Sequence, residues 1–473
     1  MNIRKLSIAI AMFAFVSAAL AVQRPKYVFV FIGDGMSTPQ RMVAEEFAEK
    51  TGHGEFAMNR LPYQVNTRTR SANSVITDSA AAATAIACGV KTNNGMLGVL
   101  PDGTEVESVA EVAKRSGMKV GIVTTTAINH ATPAGFYAHR KSRSEGYRIG
   151  LDLVSSGFDY FAGGGFNGKE DDRSNSQYRG NIYDLARNAG YSVATNVAAW
   201  TALRPGGKAL CTFASRHFDF AIDRDPAVQP ALAELVGKGI ELLDNPNGFF
   251  IMCEGGTLDF AGHANDAATN LRDAIALDAA VKVALAFAEK HPGETLVIAT
   301  GDHETGGLSM GFVGTGGKFY VERLARQKCS TEKFSNSIKE ILRRNINITF
   351  DEVRPLVAEK YGLVFDGDPK DPMLVTSAEV GLLKDALEKD RSYVKTKLAD
   401  TVAHDVRRRY VFASTARGIL AAHAGIGWSS GSHTALPTLT TATGAGADII
   451  VGMAENTDIG IRLKKLLGAS PTK

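Results

Sequence analysis

Short apolar segments recur along the chain, and each ends in a glycine or a polar turn. They are Tyr27–Ile32, Val120–Val123, Phe249–Cys253 and Leu296–Ala299. Strands that are apolar at nearly every position are buried on both faces, as in a parallel sheet covered by helices. The pattern therefore predicts an α/β fold with a large central, mostly parallel β-sheet sandwiched by helices. A further strand is predicted at Ile449–Val451.

The pattern changes between residues 312 and 404, where charged amphipathic helices follow one another with no strand between them. They are Glu322–Lys328, Thr331–Arg344, Asp351–Tyr361 and Ser377–Ala399. Thr349 with Glu352 forms a capping box, which we prefer to the glycosylation sequon that begins at Asn347. We predict a helical insertion at 312–404 within a single domain that spans residues 22–473.

The first residues have the features of an export signal. Arg4 and Lys5 precede an uncharged apolar stretch that ends in Ala19-Leu20-Ala21. A positive start, an apolar centre and a small-residue end are typical of a secretory signal peptide, here residues 1–21. The stretch is shorter than the ~20 residues that span a bilayer. We therefore predict an exported protein, periplasmic or secreted.

The composition excludes two broad classes of protein. Of 473 residues, 44% are hydrophobic and 22% charged, which suits a large buried core and not a disordered chain. The net charge of +3 argues against a general nucleic-acid-binding protein, so we expect no specific nucleic-acid partner. The basic run at Arg407–Arg409 is interpreted as a solvated helix face.

Four cysteines are present: Cys88, Cys211, Cys253 and Cys329. An exported chain of this length can be stabilised by its core, so few or no disulfides are required. Cys88 and Cys253 lie in apolar stretches and are expected to be buried. A bridge between Cys211 and Cys329 is left open.

A serine stands where an alanine-rich helix begins, in Thr77-Asp78-Ser79. An Asp or Ser before such a run caps any helix, and this is the simpler explanation. The alternative is that Ser79 is a nucleophile, because a helix N-terminus favours an alkoxide and an incoming anion. A serine hydroxyl needs a base or a metal to activate it, and no histidine is near in sequence. The alternative therefore predicts a metal site.

Carboxylates and histidines gather at or after the predicted strands. In chain order they are Asp34, Glu254, Asp259, His263, Asp302, His303 and His433. Asp259 and His263 are four residues apart, which places them on one helix face. Singly, each residue has a structural explanation as a turn, surface or core residue. Together they form a mixed nitrogen and oxygen set suited to zinc, with Asp34 and Glu254 offering oxygen to magnesium.

A further polar segment, Asn129 to Pro133, follows Val120–Val123. Thr132 in this segment can give a hydroxyl oxygen to a hard cation. Arg143, eleven residues later, can hold two oxygens of a phosphate with its planar guanidinium group. The alternative for Arg143 is an ordinary surface arginine.

Taken together, these motifs resemble those of the alkaline phosphatases. The matching segments occur in the same order: 33–35, 78–80, 130–139, 254–263, 300–307 and 432–434. The similarity covers residues 25–312 and 404–455. Six motifs in register are far more specific than any one of them.

The resemblance implies a homodimeric, metal-dependent phosphomonoesterase of broad specificity that works through a phosphoserine. Its partners would be small phosphate monoesters, with inorganic phosphate as product, and its cofactors two Zn²⁺ and one Mg²⁺. Ser79 would be the nucleophile and Arg143 the phosphate clamp. The implied ligands are Asp259, His263 and His433 for the first zinc, Asp34, Asp302, His303 and Ser79 for the second, and Asp34, Thr132 and Glu254 for magnesium.

Two positions depart from the family pattern. His130 stands where some members carry aspartate, and Phe260 stands where lysine, histidine or tryptophan is usual. Both are expected behind the ligands, where they would change the affinity for the third ion. The insertion at 312–404 is expected to be a crown at the dimer contact or a lid over the site. The alternatives are a phosphodiesterase or sulfatase of the same superfamily, and a non-catalytic phosphate- or metal-binding protein.

Overall fold

The computed structural model describes residues 24–399 and 410–468. The predicted signal at 1–21 and the basic run at Arg407–Arg409 lie outside the described residues. Within them the strands are β1 (Tyr27–Gly33), β2 (Tyr63–Thr67), β3 (Lys119–Ala127), β4 (Tyr160–Gly164), β5 (Tyr191–Ala194), β6 (Lys208–Thr212), β7 (Phe249–Gly255), β8 (Thr295–Gly301), β9 (Glu304–Thr305), β10 (Leu308–Met310), β11 (Ile426–Trp428), β12 (His433–Thr434) and β13 (Thr438–Gly444).

Helices cover the sheet and connect its strands. The α-helices of the described residues are α1 (Thr38–Thr51), α2 (Ser79–Cys88), α3 (Val109–Arg115), α4 (Ala131–Ala134), α5 (Gly146–Ser156), α6 (Ile182–Asn188), α7 (Val197–Thr201), α8 (Leu232–Leu243), α9 (Thr257–His263), α10 (Ala267–Lys290), α11 (Thr331–Arg344), α12 (Phe350–Tyr361), α13 (Ser377–Ala399), α14 (Val411–Ala424) and α15 (Thr457–Leu466). None of these helices combines the length and apolar composition that crossing a membrane requires.

Nine strands form one sheet in the order β2-β13-β8-β1-β7-β3-β4-β6-β5. Only β13 pairs antiparallel with its neighbours, and the other pairs are parallel. The predicted α/β fold with a mostly parallel sheet is therefore confirmed. In the register, Gly33 of β1 pairs with Gly255 of β7 and with Gly301 of β8. The carboxyl ends of these central strands consequently meet at one edge, where ligands of open α/β sheets bind.

Both faces of the central strands are buried. Along β1, Tyr27, Phe29 and Phe31 pack into the core on one face, and Val28 and its alternating neighbours pack into the core on the other. This alternation follows from the two-residue period of a strand. It explains why the predicted segments of β1, β3, β7 and β8 are continuously apolar. All four strands are longer than predicted, and β3 extends over Lys119–Ala127 where the prediction covers Val120–Val123.

The strand predicted at Ile449–Val451 is wrong. Residues Ala447–Ile450 form a 3₁₀-helix, entered through Gly446 at a φ of 73°. The strand in this part of the chain is β13, which is rich in threonine. Its Thr440 hydroxyl hydrogen-bonds to the hydroxyls of Thr67 and Thr300, at 2.9 and 2.8 Å. Since polar residues of neighbouring strands satisfy the buried Thr440, β13 lacks the apolar pattern by which a buried strand is recognised.

The predicted helices of the 312–404 segment are largely as expected. α11 and α13 have the predicted bounds, and α12 begins one residue early. The capping box is confirmed, because Thr349 Oγ1 accepts from the Glu352 amide and Glu352 accepts from the Thr349 amide. The first predicted helix is instead a 3₁₀-helix, Val321–Arg326. These elements pack around α14 and share a core with one face of the sheet. A role as crown or lid stays a prediction.

All four cysteines are unpaired and buried. The Cys211–Cys329 bridge that the sequence leaves open is therefore not formed, and no disulfide crosslinks the described residues. Cys88 and Cys253 lie among apolar side chains, as the sequence predicts.

Candidate metal centre

The alanine-rich helix α2 begins as the simpler explanation predicts, with Asp78 as its cap. The Asp78 carboxylate accepts a hydrogen bond of 3.0 Å from the Ala81 amide. Ser79, the first helical residue, is buried, and its hydroxyl lies 3.2 Å from His303 Nε2. His303 is 224 residues away in sequence, so folding supplies the imidazole that the local sequence lacks. Asp78 therefore caps the helix while Ser79, the next residue, remains available as the candidate nucleophile, so the two explanations are compatible.

The first group of possible ligands joins α9 to β12. It consists of Asp259, His263 and His433, whose ligand atoms all lie within 4.8 Å of one another. His263 Nδ1 lies 2.8 Å from the Gly431 carbonyl, and His433 Nδ1 lies 2.9 Å from the Thr77 carbonyl. A carbonyl oxygen only accepts, so both rings carry a proton on Nδ1, and each ring in its neutral form presents an Nε2 lone pair.

The two lone pairs of this group converge. His263 Nε2 and His433 Nε2 are 3.2 Å apart, and Asp259 oxygens lie 3.3 Å from the first and 3.7 Å from the second. With both rings neutral, two lone pairs and a carboxylate repel one another at these distances. A cation in their midst removes the repulsion, and fixing the ring through its other nitrogen is usual for a metal-binding histidine.

The second group lies at the ends of β1 and β8 and consists of Asp34, Asp302 and His303. His303 Nε2 lies 3.3 Å from Asp34 Oδ1 and 3.2 Å from Asp302 Oδ2. All three side chains are buried, and both of these carboxylate oxygens lack a hydrogen-bond donor. The other oxygen of Asp302 accepts from the amides of Gly35 and His303, which holds the carboxylate in place.

Burial and like charges perturb this second group. Burial raises the pKa of Asp34 well above its usual value, and the charges of Asp302, Asp259 and Glu254 raise it further. The pKa of Asp302 is raised for the same reasons. Burial lowers the pKa of His303, which keeps its ring neutral. A neutral imidazole between crowded carboxylates is the form that binds a metal ion.

The third group shares Asp34 with the second. Its members are Asp34, Glu254 and His130, with the Thr132 hydroxyl donating to Asp34 Oδ2 at 3.2 Å. Glu254 Oε1 is buried without a hydrogen-bond donor. His130 Nδ1 lies 3.8 Å from this oxygen, and its Nε2 accepts from Arg143 at 3.1 Å. The neutral ring of His130 therefore carries its proton on Nδ1, and the group offers mainly oxygen atoms.

Arg143 lies beside Asp78, the residue that precedes Ser79. One terminal nitrogen donates to Asp78 at 3.0 Å and the other donates to His130 at 3.1 Å. Each terminal nitrogen carries two N–H groups, so each keeps a second N–H that can donate to an anion.

Comparisons with known proteins agree with this geometry. The sequence profile of the family described as alkaline phosphatase matches residues 25–469. The chain belongs to the alkaline phosphatase family. Members of this family are phosphomonoesterases.

Individual relatives of the alkaline phosphatase family are similar over most of the chain. The alkaline phosphatase of Schizosaccharomyces pombe is 29% identical over 475 residues, which covers 95% of this chain and 82% of the relative. Alkaline phosphatase 4 of Bacillus subtilis is 34% identical over 357 residues, covering 70% and 74%. The solved cold-active alkaline phosphatase of Shewanella sp. superposes with a TM-score of 0.77 at 26% identity, covering 93% of this chain and 99% of that one. That of Thermus thermophilus gives 0.75 at 26% identity, covering 96% and 95%.

Three threonines outside the predicted ligand set contact the ligand groups of this member of the alkaline phosphatase family. The Thr305 hydroxyl donates to Asp259 at 2.6 Å and lies 3.3 Å from His303 Nδ1, so it joins the first group to the second. Thr124 and Thr126 donate to the same oxygen of Glu254. Thr305 lies inside a motif that the resemblance contains, and the Thr124–Thr126 run follows a predicted strand. The motif around Thr305 and the place of Thr124–Thr126 after a strand are the sequence features that could have indicated these threonines.

Gly35 allows the first two groups to approach each other. Its φ of 70° is in the left-handed region, and a Cβ there would lie 2.8 Å from Thr305 Oγ1 and 2.9 Å from Asp259 Oδ1. Any side chain at this position would displace the threonine and the carboxylate. The Gly-Asp-Gly motif is thus required by the site as well as by the turn.

The Phe260 ring lies near His130 of the third group. Its ring centroid lies 6.0 Å from that of His130 and 4.8 Å from that of His217. We expect Phe260→Lys to weaken Mg²⁺ activation by about tenfold, since an ammonium group there competes with the ion for the carboxylates. Activity measured against Mg²⁺ concentration checks this, with Phe260→Leu as the apolar control. Identical Mg²⁺ curves for Phe260→Lys and the wild type would contradict it.

Two contacts of the His139 ring hold the segment that leads to Arg143 in place. Its Nδ1 lies 2.8 Å from the Gly98 carbonyl and its Nε2 lies 2.9 Å from Glu111. Burial lowers the pKa of His139, but the hydrogen bond and charge of Glu111 outweigh burial and raise it to about 9. An unfolded histidine titrates near ~6.5. The stabilisation is therefore complete below that pH and is lost as the pH rises through 9.

We expect the free energy of unfolding to fall by about 2 kcal/mol between pH 6.5 and 9.5, a value reduced for the partial exposure of both side chains. In His139→Gln this contribution to the pH dependence should be absent, whereas the exposed-histidine control His53→Gln should keep it. Urea unfolding at several pH values measures the difference. Parallel pH profiles for the wild type and His139→Gln would contradict the assignment.

Proposed function

We propose that the protein is an exported alkaline phosphatase that hydrolyses phosphate monoesters of broad structure through a phosphoserine on Ser79. One observation carries the proposal. Two histidine lone pairs, 3.2 Å apart, converge with Asp259 beside a second group of ligands that the Ser79 hydroxyl touches. Such an arrangement suits a pair of metal ions next to a nucleophile at a helix N-terminus.

The donor atoms fit two zinc ions and one magnesium ion. Asp34 Oδ1, Asp302 Oδ2 and Glu254 Oε1 are buried and accept no hydrogen bond, which is costly unless a cation lies beside them. The first two groups combine imidazole and carboxylate, as zinc prefers, and the third offers carboxylate and hydroxyl oxygen, as magnesium prefers. When bound, the ions supply positive charge next to the attacking and the leaving oxygen.

The residues of the chain then have separate tasks. Arg143 holds two non-bridging oxygens of the phosphoryl group, and the N-terminus of α2 favours its negative charge. Ser79 Oγ gives its proton to solvent and forms a bond to phosphorus, while the bond from phosphorus to the alcohol oxygen breaks and the alcohol takes up a proton from solvent. A water molecule then attacks phosphorus on the side opposite Ser79 Oγ, and the bond from phosphorus to Oγ breaks. Ser79 Oγ takes up a proton released by the attacking water, and inorganic phosphate leaves.

Broad specificity follows because the proposed contacts bind the phosphoryl group and not the alcohol. The proposed contacts hold the phosphoryl group and the metal ions, so most alcohols that can be accommodated should serve as leaving groups. Export is supported by the signal-like composition of residues 1–21, and a homodimer by the family resemblance.

The function is tested with three chromogenic esters. We expect rapid hydrolysis of p-nitrophenyl phosphate, and at least about 100-fold slower hydrolysis of bis-p-nitrophenyl phosphate and p-nitrophenyl sulfate. A chelator should abolish the activity, and metal analysis should give two zinc ions and one magnesium ion per chain. Preference for the diester or the sulfate would favour a related activity of the superfamily. Metal and phosphate binding without turnover would favour a non-catalytic protein.

Arg143→Ala tests the phosphate clamp. We expect the inhibition constant of inorganic phosphate to rise by at least about tenfold and kcat/KM to fall by at least as much, because a charge-assisted contact to phosphate is lost. Arg143→Lys should recover only part of the loss, since lysine lacks the planar pair of donors. Steady-state kinetics with added phosphate measure both effects, and Arg187→Ala removes an exposed arginine of α6 as a control. Unchanged phosphate inhibition would exclude the clamp.

A further inference from the structure

A second polar cavity adjoins the proposed site. It has a volume of about 380 Å³ and lies between the start of α5, the loop after β4 and the loop after β6. His130 and Arg143 line one side of it, and Lys169 and Arg216 belong to the other parts of its wall. Because Arg143 also contacts Asp78 next to Ser79, the cavity is continuous with the place where a phosphoryl group would bind.

The wall of this cavity carries more cations than carboxylates, since it includes Arg143, Lys169 and Arg216 against Glu145 and Asp172. Glu145 is paired with Arg148, and the Ser174 hydroxyl and the charge of Lys169 lower the pKa of Asp172. The balance of charge in the wall is therefore positive. A wall of this kind suits an anionic group of a small molecule.

Buried hydrogen bonds fix the wall. The buried side chain of Asn129 donates to the carbonyls of Gly146 and Asn167, at 2.8 and 3.0 Å, and accepts from the Asn167 amide at 2.6 Å. Asn167 Oδ1 in turn accepts from Arg216 Nε at 2.6 Å, which orients the guanidinium. A Cβ on Gly146 would lie 2.3 Å from the Asn167 carbonyl, so the close approach of α5 to this loop needs glycine. These contacts hold α5, the loop after β4 and the Arg216 side chain together around the cavity.

We propose that this cavity is a subsite for a second anionic group on the alcohol part of the substrate. The inference rests on the proposed function and names a substrate class within it: small phosphate monoesters that also carry a carboxylate or a second phosphate. The phosphoryl group to be cleaved is held at Arg143, and the second anion is held by Lys169 and Arg216. The ammonium group of Lys169 and the guanidinium group of Arg216 each bind carboxylate and phosphate, so the shared chemistry is a second oxyanion on a short carbon chain.

The test compares esters that differ in one group. Glycerol 2-phosphate and 2-phosphoglycerate differ in a single hydroxymethyl or carboxylate group, and glycerol 1,2-bisphosphate carries a second phosphate in place of that carboxylate. For the wild type we expect a higher kcat/KM for the two doubly anionic esters than for glycerol 2-phosphate. In the double variant Lys169→Ala/Arg216→Ala this preference should fall by about tenfold, because two charge-assisted contacts are lost. The two anionic esters distinguish a carboxylate subsite from a phosphate subsite.

Arg173→Ala is the matched control. Arg173 is an exposed arginine on the same loop as Lys169 but outside the cavity, and it pairs with Asp171. Its removal lowers the positive charge of the loop without touching the subsite, so the preference should persist. Rising ionic strength should reduce the preference of the wild type and leave that of the double variant nearly constant.

The possible failures are distinguishable. If the wild type hydrolyses all three esters but prefers none, or if the double variant loses activity equally on all of them, the subsite is excluded and the proposed function stands. If the wild type hydrolyses none of them, and p-nitrophenyl phosphate also remains intact, the proposed function fails and the subsite fails with it.

Discussion

Ser79→Ala is expected to lower kcat by at least about 1,000-fold. The Ser79 hydroxyl is buried at the start of α2 and lies 3.2 Å from His303 Nε2, inside the second group of ligands. Alanine removes the atom that would bond to phosphorus and leaves the carboxylates and imidazoles in place. Metal content should therefore remain close to that of the wild type, apart from the contribution of one hydroxyl ligand.

Two measurements separate this chemical role from a structural one. Acid quenching of the wild type with ³²P-labelled substrate should trap label on the chain, and Ser79→Ala should trap none. Ser155→Ala, which removes an exposed serine hydroxyl of α5, serves as the control and should keep full activity. A fully active Ser79→Ala protein would overturn the assignment of the nucleophile.

Asp34→Asn is expected to have a comparable effect on activity for a different reason. One oxygen of Asp34 faces His303 at 3.3 Å, and the other accepts from Thr132 at 3.2 Å, so a single carboxylate serves the second and the third group. Removing its charge weakens both groups at once. We expect kcat to fall by at least about 1,000-fold and bound metal to decrease.

Compared with the wild type, Asp34→Asn should be more stable without metal and less stable with metal. Without metal, the buried charge of Asp34 is disfavoured by burial and by Asp302, so the variant should melt at a higher temperature than the metal-free wild type. With zinc and magnesium added, the order should reverse, because the wild type gains more binding free energy. Thermal melts with a chelator and with excess metal measure both arms.

A buried acid outside the site provides the control for Asp34→Asn. Asp273 in α10 accepts from the Ala221 amide at 2.9 Å, and burial raises its pKa to about 7. Asp273→Asn also neutralises a buried carboxyl group, but it should keep the metal response and the activity of the wild type. If Asp34→Asn behaved like Asp273→Asn, the role of Asp34 as a shared ligand would be wrong.

Four of the nine strands of the central sheet could be predicted because they bury both faces. β1, β3, β7 and β8 contain almost no polar residue until their carboxyl ends, and this makes both the strands and the functional edge visible. β2 and β5, which have exposed positions, and the threonine-rich β13 could not be recognised in this way. The buried Thr440 hydroxyl of β13 bonds to threonines of neighbouring strands, and those partners are known only once the strand order is known.

The candidate ligands could be predicted for a related reason. The side chains that hold them in place could not. Asp34 and Asp302 follow apolar strands directly, so their position at the sheet edge is a consequence of the pattern. Thr305 belongs to no such pattern, because its value lies in bridging Asp259 and His303. Likewise, only the tertiary contacts show that Asp78 and His130 orient Arg143.

The place of β13 between β2 and β8 has a consequence for the order of folding during synthesis. Until the ribosome has made β13, the nascent polypeptide has unpaired edges on both of these strands, which are open to pairing with other chains. His433 emerges just before β13, so the first ligand group also stays incomplete until then. Pairings between such distant segments are slow to form, and they tie metal capture to the last stage of folding.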